Sequence, residues 1–427
     1  MRIAYLNTEY PALSHTFIER EVRALRETGI DVRTFSVRPA EGNGTLSSDH
    51  REAAATTRCL LDSPWKVAGH VLLALIISPL RSLRVFASGQ RHSPPGLSFR
   101  LRHIGYAAQA IRLAREMDKG GIRHVHVHMA NNGAMIALLA TVFDRRLTYS
   151  LTIHGSAEFF DVHNVRLKLK AERAEFVRCI SNFCRAQVMT WAAPETWERF
   201  HVVHCGVDTS HHRPAPPTNH ARLRLLTVGR MVPIKGYPLL LKACRKLQDR
   251  GFDWQLTMIG DGPTRADLER LTDELGIADH VDFTGAVGQD EIGKYFDQAN
   301  VMVVSSFMEG IPVVLMEAMA RELAVIATHV GGIGELVESG QSGWLIEAGC
   351  VDALADALLE AAADPSRLSE MGEVGRRRVE EQFAAHHVGA AMRKLFARYA
   401  KPTALLADAP LPSEIEETRP SPADITA

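Results

Sequence analysis

The sequence predicts an α/β protein built from two doubly wound parallel-sheet domains that face each other across a deep cleft. Three observations predict it. Short apolar, strand-like runs alternate with helix-periodic segments along most of the chain, the signature of a parallel sheet with crossover helices. The alternation breaks at a Pro-rich stretch, Arg213-Pro214-Ala215-Pro216-Pro217, and then begins afresh. The length of 427 residues, with 46% hydrophobic and 23% charged residues, provides full cores for two or three domains.

In the first half, residues 2–7 read as a strand and Thr8 to Ser14 as a turn, with Ser14 placed to cap a helix carrying Phe17, Ile18, Val22 and Leu25 at helical spacing. Gly29 stops that helix and Asp31 to Val37 is a second strand, so the chain opens with a β-α-β unit. Residues 38–58 are polar and read as a loop, and 65–117 read as largely helical, interrupted at Ser93-Pro94-Pro95-Gly96. The apolar run Val71 to Leu80, broken by Pro79, is too short to span a bilayer. It reads as a core helix, with Trp65, Lys66, Arg81 and Arg84 around it leaving an interfacial amphipathic helix as the alternative. His124-Val125-His126-Val127-His128 alternates, which places three imidazoles on one strand face. A metal there needs an outside ligand, and none is spaced nearby, so no metal is expected. Tyr149 to Ile153, Val177 to Ser181 and Phe200 to His204 complete this half as strands.

In the second half, Leu223 to Val228 is a strand, Gly229 to Gly236 a loop and Tyr237 to Asp249 a helix. Strands at Trp254 to Ile259, Val281 to Thr284, Val301 to Ser305 and Ala324 to Thr328 each lead onward into a helix or turn. Pro312 stands where a helix begins, its fixed φ and missing N–H costing nothing at the first helical position. Glu309 then lies in the strand-to-helix loop and Glu317 in the second helical turn. The expected division is a first domain over 1–205, a second over 206–380, a helix at 381–401 returning to the first, and a disordered tail at 402–427, rich in Pro, Ala and acid.

Net charge is −1, which selects no nucleic-acid partner. It is unevenly spread, net +9 over residues 1–205 and −10 over the remainder, and a basic first half suits an anionic membrane surface or a phosphorylated acceptor. The six cysteines have neither metal-ligand nor disulfide-framework spacing and read as reduced thiols of a cytosolic protein. Met1 to Asn7 has no signal-peptide anatomy.

Open α/β sheets bind ligands outside the carboxyl ends of their strands. His128 and His154, the latter followed by Gly155, sit at such ends in the first half; Arg230, Lys235, Glu309 and Glu317 follow strands in the second. Arg230 and Lys235 lie on a glycine-flanked loop, where guanidinium and ammonium groups can hold a diphosphate by charge-assisted hydrogen bonds. Helix N-termini after Pro312 and after Gly331-Gly332 are expected to add backbone N–H groups. Neither half carries a Gly-x-Gly-x-x-Gly fingerprint after its first strand or a phosphate loop, and no Asp-x-Asp triplet is present to hold a divalent metal.

Gly229-Arg230-x4-Lys235-Gly236, Gly260-Asp261-Gly262-Pro263, Glu309-x7-Glu317 with Ala318-Met319-Ala320, and Gly331-Gly332-x-x-Glu335-Leu336-Val337 together resemble the donor half of retaining GT-B glycosyltransferases of family four. Thr152-x-His154-Gly155 and Cys205-Gly206-Val207-Asp208 match the acceptor half and the junction. Tyr10-Pro11-x-x-Ser14-x-Thr16-Phe17-Ile18-x-x-Glu21 and His126-x-His128 resemble the subgroup that builds exopolysaccharide and colanic-acid-like repeats.

The resemblance implies two Rossmann-like domains and metal-independent, retaining transfer of a sugar from a UDP- or GDP-linked donor, with no further cofactor. The acceptor implied is a polyprenyl-diphosphate-linked or growing glycan at the cytoplasmic membrane face. It implies that Arg230 and Lys235 bind the donor diphosphate and that Glu309 and His154 lie by the transferred sugar. Gly229, Gly310, Ile311, Pro312 and Val313 are implied to line the donor pocket, with Glu317 on the ribose; Ser14 and His128 fall on the acceptor side. A sugar-nucleotide epimerase and a silent nucleotide-sugar-binding protein stay open as alternatives. The chain departs from the pattern at Glu322, where the family has a small residue, and at Gly334, where Pro is usual, and the N-terminal Gly-Gly loop is replaced by Pro11 to Ser14.

Overall fold

The computed structural model describes residues 1–12, 16–39, 48–214 and 222–400. The first sheet contains β1 (Arg2–Glu9), β2 (Asp31–Arg38), β3 (Arg58–Cys59), β4 (His124–His128), β5 (Thr148–Ile153), β6 (Val177–Cys179) and β7 (Phe200–Val202), in the order β3-β2-β1-β4-β5-β6-β7. The second contains β8 (Leu223–Val228), β9 (Trp254–Ile259), β10 (Val281–Gly285), β11 (Val301–Val304), β12 (Ala324–Thr328) and β13 (Gly343–Ile346), in the order β10-β9-β8-β11-β12-β13. The paired neighbours in both sheets run parallel. Each sheet therefore reverses its strand order once, between β1 and β4 and between β8 and β11, and these switch points are where open sheets hold ligands.

Helices α1 (Thr16–Glu27), α2 (Ser48–Thr56), α3 (Pro64–Ile77), α4 (Pro79–Arg91), α5 (Leu97–Lys119), α6 (Asn132–Phe143), α7 (Leu167–Arg173) and α8 (Asn182–Trp191) belong to the first half. Helices α9 (Tyr237–Asp249), α10 (Arg265–Leu275), α11 (Gln289–Gln298), α12 (Val313–Ala320), α13 (Ile333–Leu336), α14 (Val351–Ala363), α15 (Pro365–Gln382) and α16 (Ala385–Tyr399) follow. In the second half, α9 and α14 bury Leu240, Leu241, Leu354 and Leu358 on one sheet face with Trp254, and α12 and α15 bury Leu315, Met319 and Val379 on the other. Both faces being covered, strands such as Val301-Met302-Val303-Val304 are apolar throughout rather than alternating. The last helix, α16, packs on α1, where Gly389 lets the backbones approach so closely that an added Cβ would lie 2.9 Å from that of Ala24.

Several sequence expectations need correction. The polar stretch 38–58 is not all loop: Ala53-Ala54-Ala55, strong helix formers, sit within α2. Strand β6 ends two residues earlier than expected, freeing Ser181 to cap α8 by accepting from the Cys184 N–H at 3.0 Å. Pro312 is the residue before α12, not its first residue, though Glu317 stays in the second turn. The largest correction concerns Val71 to Leu80, which is no core helix. Only Val67 and Ala74 of α3 are buried, while Trp65, Leu72, Ile76, Ile77, Leu80 and Leu83 stand exposed. Among the described residues no helix is long and apolar enough to cross a membrane. Ser14, part of the Pro-rich linker and the 402–427 tail lie outside the described residues.

Candidate functional site

At the β8/β11 switch point, glycines allow three loops to press together. Gly236 adopts φ +63°, and a Cβ there would fall 2.1 Å from the Ser305 carbonyl; one on Gly260 would fall 2.0 Å from that of Gly229. Ser305 Oγ donates to the Lys235 carbonyl (3.0 Å) and the Phe307 N–H to that of Ile234 (2.8 Å), stitching the β8 and β11 loops. The result brings Lys235 Nζ to 2.6 Å from Glu309 Oε1, which also accepts from Ser306 Oγ at 2.6 Å. Glu309 is nearly buried, Lys235 is partly exposed, and Arg230 extends from the same loop into solvent. Gly229 is held close by Tyr237, whose hydroxyl would lie 2.9 Å from an added Cβ.

The Gly331-Gly332 turn supports this loop from beneath. An added Cβ on Gly331 would lie 1.8 Å from the Glu309 carbonyl, and the Gly332 N–H donates to the Gly310 carbonyl at 2.7 Å. The N–H groups of Gly332, Ile333 and Glu335 all bond within the protein, and α13 is one turn long. Ile311 is buried against Gly332, and Val313 opens α12.

The first half meets this loop across the cleft. His154 and Gly155 pack backbone to backbone on Gly310: an added Cβ on Gly310 would sit 2.2 Å from the His154 carbonyl. Two buried groups hold that segment. Glu158 accepts from the N–H groups of Ala130 (2.5 Å), His154 (2.6 Å) and Gly155 (3.2 Å), and Lys170 Nζ donates to the carbonyls of Ala130 and Asn131. Burial pushes Glu158 up to about 7, against the pull of those three donors, and pushes Lys170 down to about 7. His128, expected to reach a ligand at the crevice, is instead wholly buried, with Nδ1 2.9 Å from His154 Nε2. Its place at the cleft is taken by His154, whose ring lies 4.7 Å from that of Phe17.

Glu317 is buried and accepts from Arg20 Nη2, reaching from α1, at 2.6 Å. Glu335 caps α8 of the other half, taking the N–H groups of Asn182 (2.8 Å) and Phe183 (3.0 Å). Arg20, Glu21, Glu158 and Ser306 were not foreseen as site residues. For Glu21 a signal existed: it falls between Ile18 and Leu25 on the apolar stripe of α1, where an acid is buried only with a partner. A cavity of about 410 Å³ lined by Arg224, Thr257, Asp282 and Tyr295 lies near the amino ends of β8–β10, at the opposite end of the strands from these loops.

Two of the three departures from the pattern, Glu322 and Gly334, have local explanations. Glu322 ends α12 with φ +62°, a conformation suited to Gly, and stands well clear of the Glu309 loop in sequence. Glu322→Gly should raise stability by roughly 0.5–1 kcal/mol in urea unfolding with turnover unchanged. At Gly334 an added Cβ would meet His329 Nε2 at 2.7 Å, so the ring occupies the space a proline would need.

Residues 14–211 match the family Glycosyltransferase Family 4, and residues 208–378 match Glycosyl transferases group 1. The chain is 27% identical over 416 residues to the amylovoran biosynthesis glycosyltransferase AmsK of Erwinia amylovora, covering 90% of this chain and 97% of that protein. It is 26% identical over 397 residues to a protein of Escherichia coli K12 named for colanic acid biosynthesis, the glycosyltransferase WcaL, covering 90% and 96%. Among solved structures, Anabaena Alr3699/HepE in complex with UDP superposes with a TM-score of 0.71 at 15% identity, covering 93% of this chain and all of that one. Two parallel sheets with facing switch points and these matches over consecutive halves place the chain among the GT-B glycosyltransferases, with a family 4 domain followed by a group 1 domain.

Proposed function

We propose that this protein transfers a hexosyl group, with retention at the anomeric carbon and without a metal, from a UDP- or GDP-linked sugar to a polyprenyl-diphosphate-linked or glycan acceptor in exopolysaccharide synthesis. The observation that carries the reading is the Lys235–Glu309 pair at the second sheet's switch point, facing His154 and Gly155 from the first. The bond from the anomeric carbon to the diphosphate breaks while one to the acceptor oxygen forms on the same face, and the leaving phosphate oxygen takes the acceptor proton. Lys235 and Arg230 offset the charge that develops on the departing diphosphate, which a preorganised site does at little cost. Glu309 and His154 position the sugar, and Glu317 takes the ribose in exchange for Arg20. The relatives' names support the glycan, and the UDP in the structural neighbour supports a nucleotide donor. The test is turnover of a panel of UDP- and GDP-sugars, with products read by mass and NMR. Release of a free altered sugar without an acceptor, or binding with no turnover, would overturn the proposal.

The same reading puts the protein on the cytoplasmic face of a membrane. Residues 63–115 contain eight Lys and Arg and no Asp or Glu, and the exposed Lys66, Arg81, Arg84, Arg91, Arg100 and Arg102 accompany the apolar face of α3 and α4. Apolar insertion flanked by cations suits an anionic bilayer surface. The full chain is expected to cosediment with phosphatidylglycerol vesicles at low salt, and Leu72→Glu with Ile76→Glu to lower the bound fraction on the order of tenfold. Wild-type protein remaining in the supernatant sinks the idea.

A further inference from the structure

Behind His154 lies a buried line of ionisable groups for which the transfer chemistry above has no use. Glu21 and Arg178 are almost wholly enclosed and form an ion pair through Glu21 Oε2. Glu21 Oε1 accepts from the Tyr5 hydroxyl at 2.7 Å and lies 3.5 Å from His128 Nε2. His128 Nδ1 lies 2.9 Å from His154 Nε2. The other two imidazoles of β4 are consumed locally: His124 bridges Thr148 and Ser150, and His126 bridges Ser150 and Thr152, at 2.7–2.8 Å.

Glu21, His126 and His128 bring ligand atoms within 4.8 Å of one another, so a metal is the competing reading. Both nitrogens of His126 are held by hydroxyls, and Tyr5 and Arg178 already draw on the Glu21 carboxylate, which leaves at most Glu21 and His128 as ligands, fewer than a protein metal site uses.

The hydrogen positions follow from the partners. Burial opposes charge on Glu21, but Arg178 and then His128 outweigh it and hold the carboxyl well below its usual range. Burial keeps His128 neutral by lowering its pKa, despite the opposing pull of Glu21. A neutral ring facing a carboxylate carries its proton on that side, so His128 is the Nε2–H tautomer and its Nδ1 must accept. His154 then donates from Nε2, and when neutral it bears its lone pair on Nδ1.

We propose that Glu21 and His128 form a relay that fixes the tautomer of His154, and that both are positioning residues for the transferred sugar. The relay stands on the spacing and burial of these groups and is independent of the transfer reading above, on which the positioning role rests. An imidazole with its lone pair on Nδ1 accepts from a sugar hydroxyl; the other tautomer donates.

The test uses the full chain with isotopically labelled histidine, reading tautomers from two-bond proton–nitrogen NMR spectra near neutral pH, assigned with His154→Ala. Wild type should show both His128 and His154 as Nε2–H. In Glu21→Gln, Arg178 retains the amide oxygen, the amide NH2 turns to His128, and both tautomers should invert. With that inversion kcat should fall roughly tenfold to 100-fold while the donor KM changes little, as for partners that orient a functional histidine. A wild-type His154 that is Nδ1–H overturns the relay whether or not Glu21→Gln folds, as does a folded Glu21→Gln with unchanged tautomers. Inverted tautomers with unchanged kcat overturn the positioning role. Wild type that turns over no donor while showing the assigned tautomers overturns the transfer reading and leaves the relay standing. Zinc that shifts the His126 and His128 resonances at stoichiometric amounts overturns it in favour of a metal.

Discussion

Lys235→Ala is expected to lower kcat on the order of 100-fold or more with whichever nucleotide sugar the wild type uses, equivalent to about 2.7 kcal/mol of lost transition-state stabilisation. Two effects combine. The ammonium that meets the departing diphosphate is gone, and Glu309 keeps only Ser306 of its two side-chain donors, so its carboxylate is less firmly aimed. Lys235→Arg should rescue poorly, because a planar fork does not reproduce a point charge placed at 2.6 Å from a single carboxylate oxygen. Ser306→Ala isolates the aiming effect and should cost less than either. Release of nucleoside diphosphate under donor saturation is the measurement, and a Lys235→Ala variant within threefold of wild type would falsify the assignment.

The second large effect is on stability. Arg178→Leu should destabilise the fold by about 3–5 kcal/mol in urea unfolding, because it strands the buried Glu21 carboxylate without its cation. The guanidinium also donates to the carbonyls of Val203 (2.8 Å) and His204 (2.7 Å), tying β6 to the segment that leaves the first sheet. Glu21→Leu together with Arg178→Leu should recover most of the loss, since removing both charges leaves no unpaired buried ion. Equal losses in the single and double variants would show that packing, not the ion pair, sets the cost.

Several elements of the second half were legible from the sequence almost to the residue, while β13, α14 and α15 were not foreseen. Leu223 to Val228, Tyr237 to Asp249, Trp254 to Ile259 and Ala324 to Thr328 all form where periodicity and Gly or Pro punctuation put them. The glycines of the motifs were legible as loops, but not their purpose. Gly236, Gly260 and Gly331 are needed because a carbonyl from another loop lies within about 2 Å of where a Cβ would be. Local pattern misjudged Val71 to Leu80, since hydrophobicity records the drive to leave water and not what covers the surface.

By itself, then, the sequence determined the two-sheet architecture and which loops carry Arg230, Lys235, Glu309 and His154. These follow from short-range rules of φ preference, side-chain period and strand-end position. Only the tertiary structure decided the partners. Arg20 meets Glu317 across 297 residues and Arg178 meets Glu21 across 157, and His128 was withdrawn from the cleft to stand behind His154. Such pairings depend on how β4, β5 and β6 lie beside α1 and how the two halves close, and no local window of sequence carries that information.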